Sequence, residues 1–282
     1  MAASVMLSGC LPVYRMPLEI PVAAGDVRRV IAAHCRLPVT RANNVGFFVG
    51  GEPSHRAMLD LIHEARRTLY VEMFIFHFDA TGREIADALI QQANAGLDVR
   101  VRLDSLGIEY GREDYKLIDY LQKGGVHVQI HNPFYWSPHG FNVTHRKILV
   151  ADEGHALTGG VNIGDAFRYG YFDLMLDVRG EAAHHIAWIF KRAWGGDLAE
   201  ANPPIGHNVY ASEEAGSAVG DEPLQVALME PGSAPEVRAA YLLAARNAKR
   251  TLDVAFPYMW DEELIQAFLA AVHRGVRLRL LL

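Results

Sequence analysis

The decisive stretch is Thr144-His145-Arg146-Lys147-Ile148-Leu149-Val150-Ala151-Asp152, followed by Gly159-Gly160-Val161-Asn162. Four consecutive apolar residues, Ile148–Ala151, predict a buried strand. Side chains two apart on a strand share a face. His145 and Lys147 are therefore expected to project together at its head. A neutral imidazole can attack phosphorus and form a covalent intermediate. A lysine ammonium can neutralise the nonbridging oxygens that carry charge in phosphoryl transfer. The glycine pair is expected to let backbone N–H groups approach an anion, and Asn162 to add an amide donor. Asp152 and Asp173 are the carboxylates available to hold the imidazole's second nitrogen. The abundances of His, Lys and Asp predict roughly 0.01 chance matches to H-x-K-x4-D in such a chain.

Working outward, the segments before the motif alternate. The predicted elements are a strand over 46–50, a helix capped by Ser54, and a strand over 68–76. A helix capped by Thr81 and closed by Gly96 follows, then a strand over 99–103, a helix over 114–122 and a strand over 126–130. This order implies an α/β fold with a mostly parallel sheet and helices on both faces. Beyond the motif, strands are expected over 156–158 and 173–178, and an amphipathic helix over 181–194.

The chain then repeats itself. Ala65-x-Arg67-Thr68-Leu69-x-Val71 recurs as Ala248-x-Arg250-Thr251-Leu252-x-Val254, and the following helices end at Gly96 and Gly275. A whole βαβ unit has been duplicated, which marks the start of a second, similar domain. The expected division is an extension over 1–44, a first domain over 45–200, a linker over 201–222 and an incomplete second domain over 223–282. His145 lies 49 residues beyond Gly96, whereas seven residues follow Gly275. A second motif is thus expected from a missing C-terminal half or from another chain.

Composition narrows the function. The 282 residues are 50% hydrophobic and 21% charged, with a net charge of −6. That balance fits a globular protein and argues against a duplex-binding one, which shows a basic face. No run approaches the roughly 20 apolar residues of a membrane-spanning helix. Two cysteines are too few for a disulfide scaffold. Leu7-Ser8-Gly9-Cys10 looks like the end of a lipoprotein signal, but no Lys or Arg precedes it. His131, His139 and His145 fit no metal-ligand spacing, so no metal and no cofactor is expected. His184-His185 reads as a partly exposed pair, and Phe190 and Trp194 as core. The loop aromatics Phe134, Tyr135, Trp136 and Phe141 suit either lipid contact or plain packing.

The motif resembles the signature of the phospholipase D superfamily, and the tract from His145 to Ile163 is most similar to bacterial cardiolipin synthases. Glu72-Met73-Phe74-Ile75-Phe76 and Phe256-Pro257-Tyr258 resemble the openings of that family's two domains. The resemblance implies two facing halves, each with one H-x-K motif. One histidine forms a phosphohistidine and the other protonates the leaving alcohol. It implies a catalytic role for His145, phosphate binding by Lys147 with Gly159, Gly160 and Asn162, and Asp173 as the carboxylate supporting the histidine. Asp152 is carried with the catalytic group, though a structural role suits it better. The implied reaction joins two phosphatidylglycerols and releases glycerol, at the cytoplasmic face of a membrane through peripheral contact. A homodimeric single-motif nuclease and an inactive headgroup-binding fragment are the alternatives.

Overall fold

The computed structural model describes residues 35–109, 114–132, 143–198, 224–227 and 236–281. The chain divides into two compact units, one built mainly on Thr40–Gly206 and the other mainly on Gln225–Leu282.

The first unit holds a seven-stranded sheet. Its strands are β1 (Asn43–Val49), β2 (Thr68–Met73), β3 (Asp98–Asp104), β4 (His127–His131), β5 (Ile148–Ala151), β6 (His155–Gly159) and β7 (Leu174–Gly180), in the spatial order β1-β7-β6-β5-β2-β3-β4. β2, β3 and β4 pair in parallel. From β2 outward through β5, β6, β7 and β1 every pairing is antiparallel. Five strands consequently run one way, and β5 and β7 run the other. The reason is connection length. β2 reaches β3 through a helix, as a parallel neighbour requires, while β5 and β6 are joined by a tight turn that only an antiparallel pair permits.

Helices cover both faces. On one, α1 (Gly51–Glu64) and α2 (Ala80–Asn94) bury Met58, Leu61, Ile62, Ile85 and Leu89 against Leu69, Val71, Met73, Val101 and Leu149. α4 (Asp114–Lys123) adds Leu117 and Leu121 to the same core. On the other, α6 (Glu181–Trp194) packs on β2, β5, β6 and β7, with Phe190 stacked on Tyr70 at 4.9 Å between ring centroids. The pair at the start of α6 splits: His184 is exposed but His185 is buried, because successive helical residues point about 100° apart.

Two caps differ from expectation. α1 begins at Gly51, ahead of Ser54, whose buried hydroxyl instead donates to the Gly50 carbonyl at 2.7 Å. α2 is capped by Asp79, not Thr81, with the Asp79 carboxylate accepting from Gly82 N at 2.9 Å. Asp and Ser are both good caps, and a carboxylate at a helix N-terminus gains from the helix dipole as well. Two short helices, α3 (Ser105–Glu109) and α5 (Asp165–Tyr169), have too few residues to show a periodic pattern in the sequence. The aromatic loop expected at 134–141 and the Cys10 segment lie outside the described residues.

In the second unit, α7 (Glu236–Asn247), β8 (Thr251–Ala255), α8 (Glu262–His273) and β9 (Arg277–Leu281) repeat the order of α1, β2, α2 and β3. β8 and β9 pair in parallel, as β2 and β3 do. The details repeat too. Asp261 caps α8 by accepting from Leu264 N at 3.0 Å. Arg277 N donates to the Arg250 carbonyl, just as Asp98 N donates to that of Arg67. Gly96 and Gly275 both take positive φ after their helices, at 95° and 88°.

Candidate active site

The antiparallel run places the head of β5, the end of β6, the start of β7 and the ends of β2, β3 and β4 at one edge of the sheet. That edge gathers His145, Lys147, Asn162 and Asp173. Lys147 sits just before Ile148, the residue paired with Glu72. It is 2% exposed, and its Nζ donates to the His145 carbonyl at 2.9 Å. Phe74 packs against both, with its ring 4.5 Å from the imidazole and 5.2 Å from Nζ. The His145 side chain itself is exposed at the mouth.

Burial pushes the Lys147 ammonium down to about 8, partly offset by the negative charge of Asp173. His145 is also pushed down, by the partial burial of its ring and by Lys147, against the pull of Asp104 and Asp173. At neutral pH the site therefore presents a neutral imidazole beside an ammonium. Among the described residues, that ammonium has a single acceptor, although it can donate three hydrogen bonds. A buried cation with spare donors suits an anionic oxygen.

Asn162 is buried, and its Oδ1 accepts from Ile75 N at 3.1 Å. This bond fixes the chain beyond β2 to the chain beyond β6, beside the Phe76–Ile163 bridge. The Asn162 amide nitrogen has no partner among the described residues. Asp173 accepts from Leu174 N at 2.8 Å. Its charge acts on Lys147 and His145, but no hydrogen bond joins it to the imidazole.

The glycines act differently from expectation. A side chain on Gly160 would begin 2.0 Å from Asp173 Oδ1, and one on Gly159 would strike the Leu174 carbonyl. The Gly160 N–H donates to the Leu174 carbonyl at 2.9 Å, so it is not offered to an anion. The pair makes room for Asp173.

Asp152 lies at the far end of β5, on the order of 13 Å along the strand. It accepts from the N–H groups of Arg66, Arg67 and Thr68 at 2.7–3.0 Å. Partial burial would raise its pKa, but those bonds outweigh it and the net direction is down. Its carboxylate is saturated by the turn between α1 and β2. Asp152→Ala is expected to cost about 2 kcal/mol of stability, as three charge-assisted bonds are lost, with turnover unchanged. Denaturant melts and rate measurements on the same preparation check both halves.

Three groups escaped the sequence reading. Phe74 looked like an ordinary strand residue. Arg146, the middle of the motif, turns away from the site and reaches Glu72 at 3.0 Å, while Arg102 holds the same carboxylate oxygen at 2.7 Å. Glu72 and Arg102 are both buried. This buried pair anchors the head of β5 to β2 and β3. Asp104, the last residue of β3, is 2% exposed and accepts from Thr144 N at 2.7 Å. Its signal was its place at the carboxyl end of a parallel strand, where sites in such sheets form. Among the described residues, no group of three or more His, Cys, Asp or Glu side chains is arranged to hold a metal.

Comparison with known proteins points to one family. A family model described as cardiolipin synthase, phospholipase D-like domain, matches residues 58–194. The cardiolipin synthase of Alkalihalophilus pseudofirmus is 28% identical over 255 residues, covering 86% of this chain and 50% of its own length. That of Geobacillus thermodenitrificans is 29% identical over 256 residues, with the same coverages. The chain spans about half the length of the curated relatives it matches. Phosphatidylserine synthase of Haemophilus influenzae Rd KW20 has the same fold, with a TM-score of 0.64 over 90% of this chain and 65% of its own, at 17% identity. Residues 58–194 match the phospholipase D-like domain of the cardiolipin synthases, and the chain is similar to those enzymes over most of its length.

Proposed function

We propose that this chain carries one half of a phosphatidyltransferase site that makes cardiolipin from two phosphatidylglycerols. The observation that carries the reading is Lys147, a buried ammonium with one acceptor among the described residues, beside a neutral, accessible His145. The facing half comes from a second lobe or a second chain. Of the two facing histidines, one attacks phosphorus as the bond to glycerol breaks, and the other protonates the departing glycerol. The hydroxyl of a second phosphatidylglycerol then attacks the phosphohistidine, giving its proton to the histidine that protonated glycerol. The phosphorus–nitrogen bond breaks and the imidazole is restored. Lys147 and the Asn162 amide hold the phosphate oxygens, and Asp173 balances their charge. The comparisons with cardiolipin synthases support this choice of substrate.

Peripheral attachment at the cytoplasmic face belongs to the same proposal. No helix among the described residues is long and apolar enough to cross a membrane. Tyr169, Tyr171 and Phe172 stand exposed on the segment leading into β7, and amphipathic aromatic rings suit a lipid interface.

Glycerol release from phosphatidylglycerol vesicles is expected to continue in excess chelator. Loss in chelator with recovery on adding zinc would overturn the mechanism. Cleavage of single-stranded DNA without lipid turnover would overturn the substrate.

A further inference from the structure

Asp104 contacts both ends of the segment that delivers His145. Its Oδ2 accepts from Thr144 N and from Asn132 Nδ2, each at 2.7 Å. Its Oδ1 accepts from Leu106 N at 3.0 Å, which holds the start of α3. Asn132 Nδ2 also reaches Thr144 Oγ1 at 3.1 Å, and the Asn132 carbonyl accepts from Ser105 Oγ. Asn132 itself holds a left-handed φ of 54°. Asn132 is the last described residue before position 133 and Thr144 lies just beyond position 142, so one buried carboxylate fastens two points twelve residues apart in the chain.

This arrangement does a job that composition assigns to no residue. His145 hangs on a single backbone step from Thr144, and no hydrogen bond among the described residues reaches its ring. Among the described residues, its orientation is set by the backbone and by Phe74. Fixing Thr144 N fixes that backbone. The charged groups acting on the imidazole are Lys147 on one side and Asp104 and Asp173 on the other. We infer that Asp104 is the positioning residue for His145: it sets the backbone through Thr144 and supplies a compensating negative charge. The inference rests on the phosphatidyltransferase reading for its rate effect but not for its geometry.

The test uses Asp104→Asn and Asn132→Gly in the full chain, since glycine accepts the left-handed backbone at 132. Two readouts are taken: glycerol release from phosphatidylglycerol vesicles, and NMR titration of the His145 ring, assigned by its absence in His145→Gln. Asp104→Asn is expected to lower kcat on the order of 100-fold through misplacement, with KM nearly unchanged. The same change removes a negative charge, so the ring should titrate below its wild-type midpoint. Asn132→Gly keeps the charge and loosens one tether. It should cost severalfold in kcat and shift the His145 resonances without that downward movement. A purely structural role predicts the opposite for Asp104→Asn, because a loosened, solvated imidazole drifts up toward its ordinary value. That upward drift, or a wild-type rate and spectrum in both variants, overturns the inference. If Asp104→Asn does not fold, unchanged His145 resonances in Asn132→Gly overturn it alone. Should the wild type release no glycerol, the titration still decides the role of Asp104, while the failure falls on the lipid reading.

Discussion

His145→Ala is expected to lower phosphatidyl transfer at least about 10³-fold, since the proposed reaction passes through its imidazole. The loss should be visible in kcat, because in the proposed reaction His145 acts on the reacting phosphorus or on its leaving group and not on remote binding. The fold should survive. The ring is only partly buried, packs on Phe74, and makes no hydrogen bond among the described residues. A melt within about 0.5 kcal/mol of wild type, the usual range for a surface substitution, would separate lost chemistry from lost structure. Wild-type turnover in the variant would remove His145 from the mechanism altogether.

The second large effect concerns Lys147 and has two opposite signs. Its pKa falls from 10.5 to about 8 because the ammonium is buried. A lysine whose folded pKa is lowered costs stability wherever both states are charged, which is the range below about 8. The cost is relieved as pH rises from about 8 toward 10.5, so the protein gains stability across that window. The difference is worth about 3 kcal/mol. Lys147→Met keeps the bulk and drops the charge. It should therefore raise the unfolding free energy at pH 7 by a similar amount, while phosphate loses its ammonium and kcat/KM falls by on the order of 10³. In the wild type, kcat/KM should decline above about pH 8 as the free enzyme's lysine deprotonates. Lys147→Arg should lose that decline, because guanidinium stays charged. Denaturant unfolding at pH 7 and a pH–rate profile check the pair. A less stable Lys147→Met would mean that the ammonium is matched by its surroundings, not strained by them.

Much of this was written plainly in the chain. The apolar run after Lys147, the amphipathic helices and the repeated Ala-x-Arg-Thr-Leu string each follow from short-range periodicity, and each element formed near its expected place. His145 and Lys147 were marked by residue type and spacing alone. What stayed hidden depends on pairing across distance. Nothing local told Gly160 that Asp173 would need its side-chain space, or Arg146 that Glu72 would be waiting on β2. Asp152 stands in the motif by spacing, yet a strand of four residues carries it to the far edge of the sheet, in keeping with the structural role expected of it. Asp104 was passed over because its partners, Asn132 and Thr144, lie outside any strand or helix, where the sequence carries no periodic signal. Strand direction was the other silent quantity, fixed by which connections are too short for a parallel return.

The edge strand β1 has a history during synthesis that its final place conceals. It is made before β2 to β7, yet its hydrogen-bonding partner is β7, with Asn43 paired to Gly180 and Val49 to Leu174. At cellular elongation rates the ribosome needs on the order of ten seconds to cover that gap. Throughout that interval the nascent chain trails an unpaired strand bearing Phe47, Phe48 and Val49, while the β2–α2–β3 unit can already close behind it. Completion of the sheet is thus timed by the emergence of β7, whose first neighbour in sequence, Asp173, is also the last member of the site to appear.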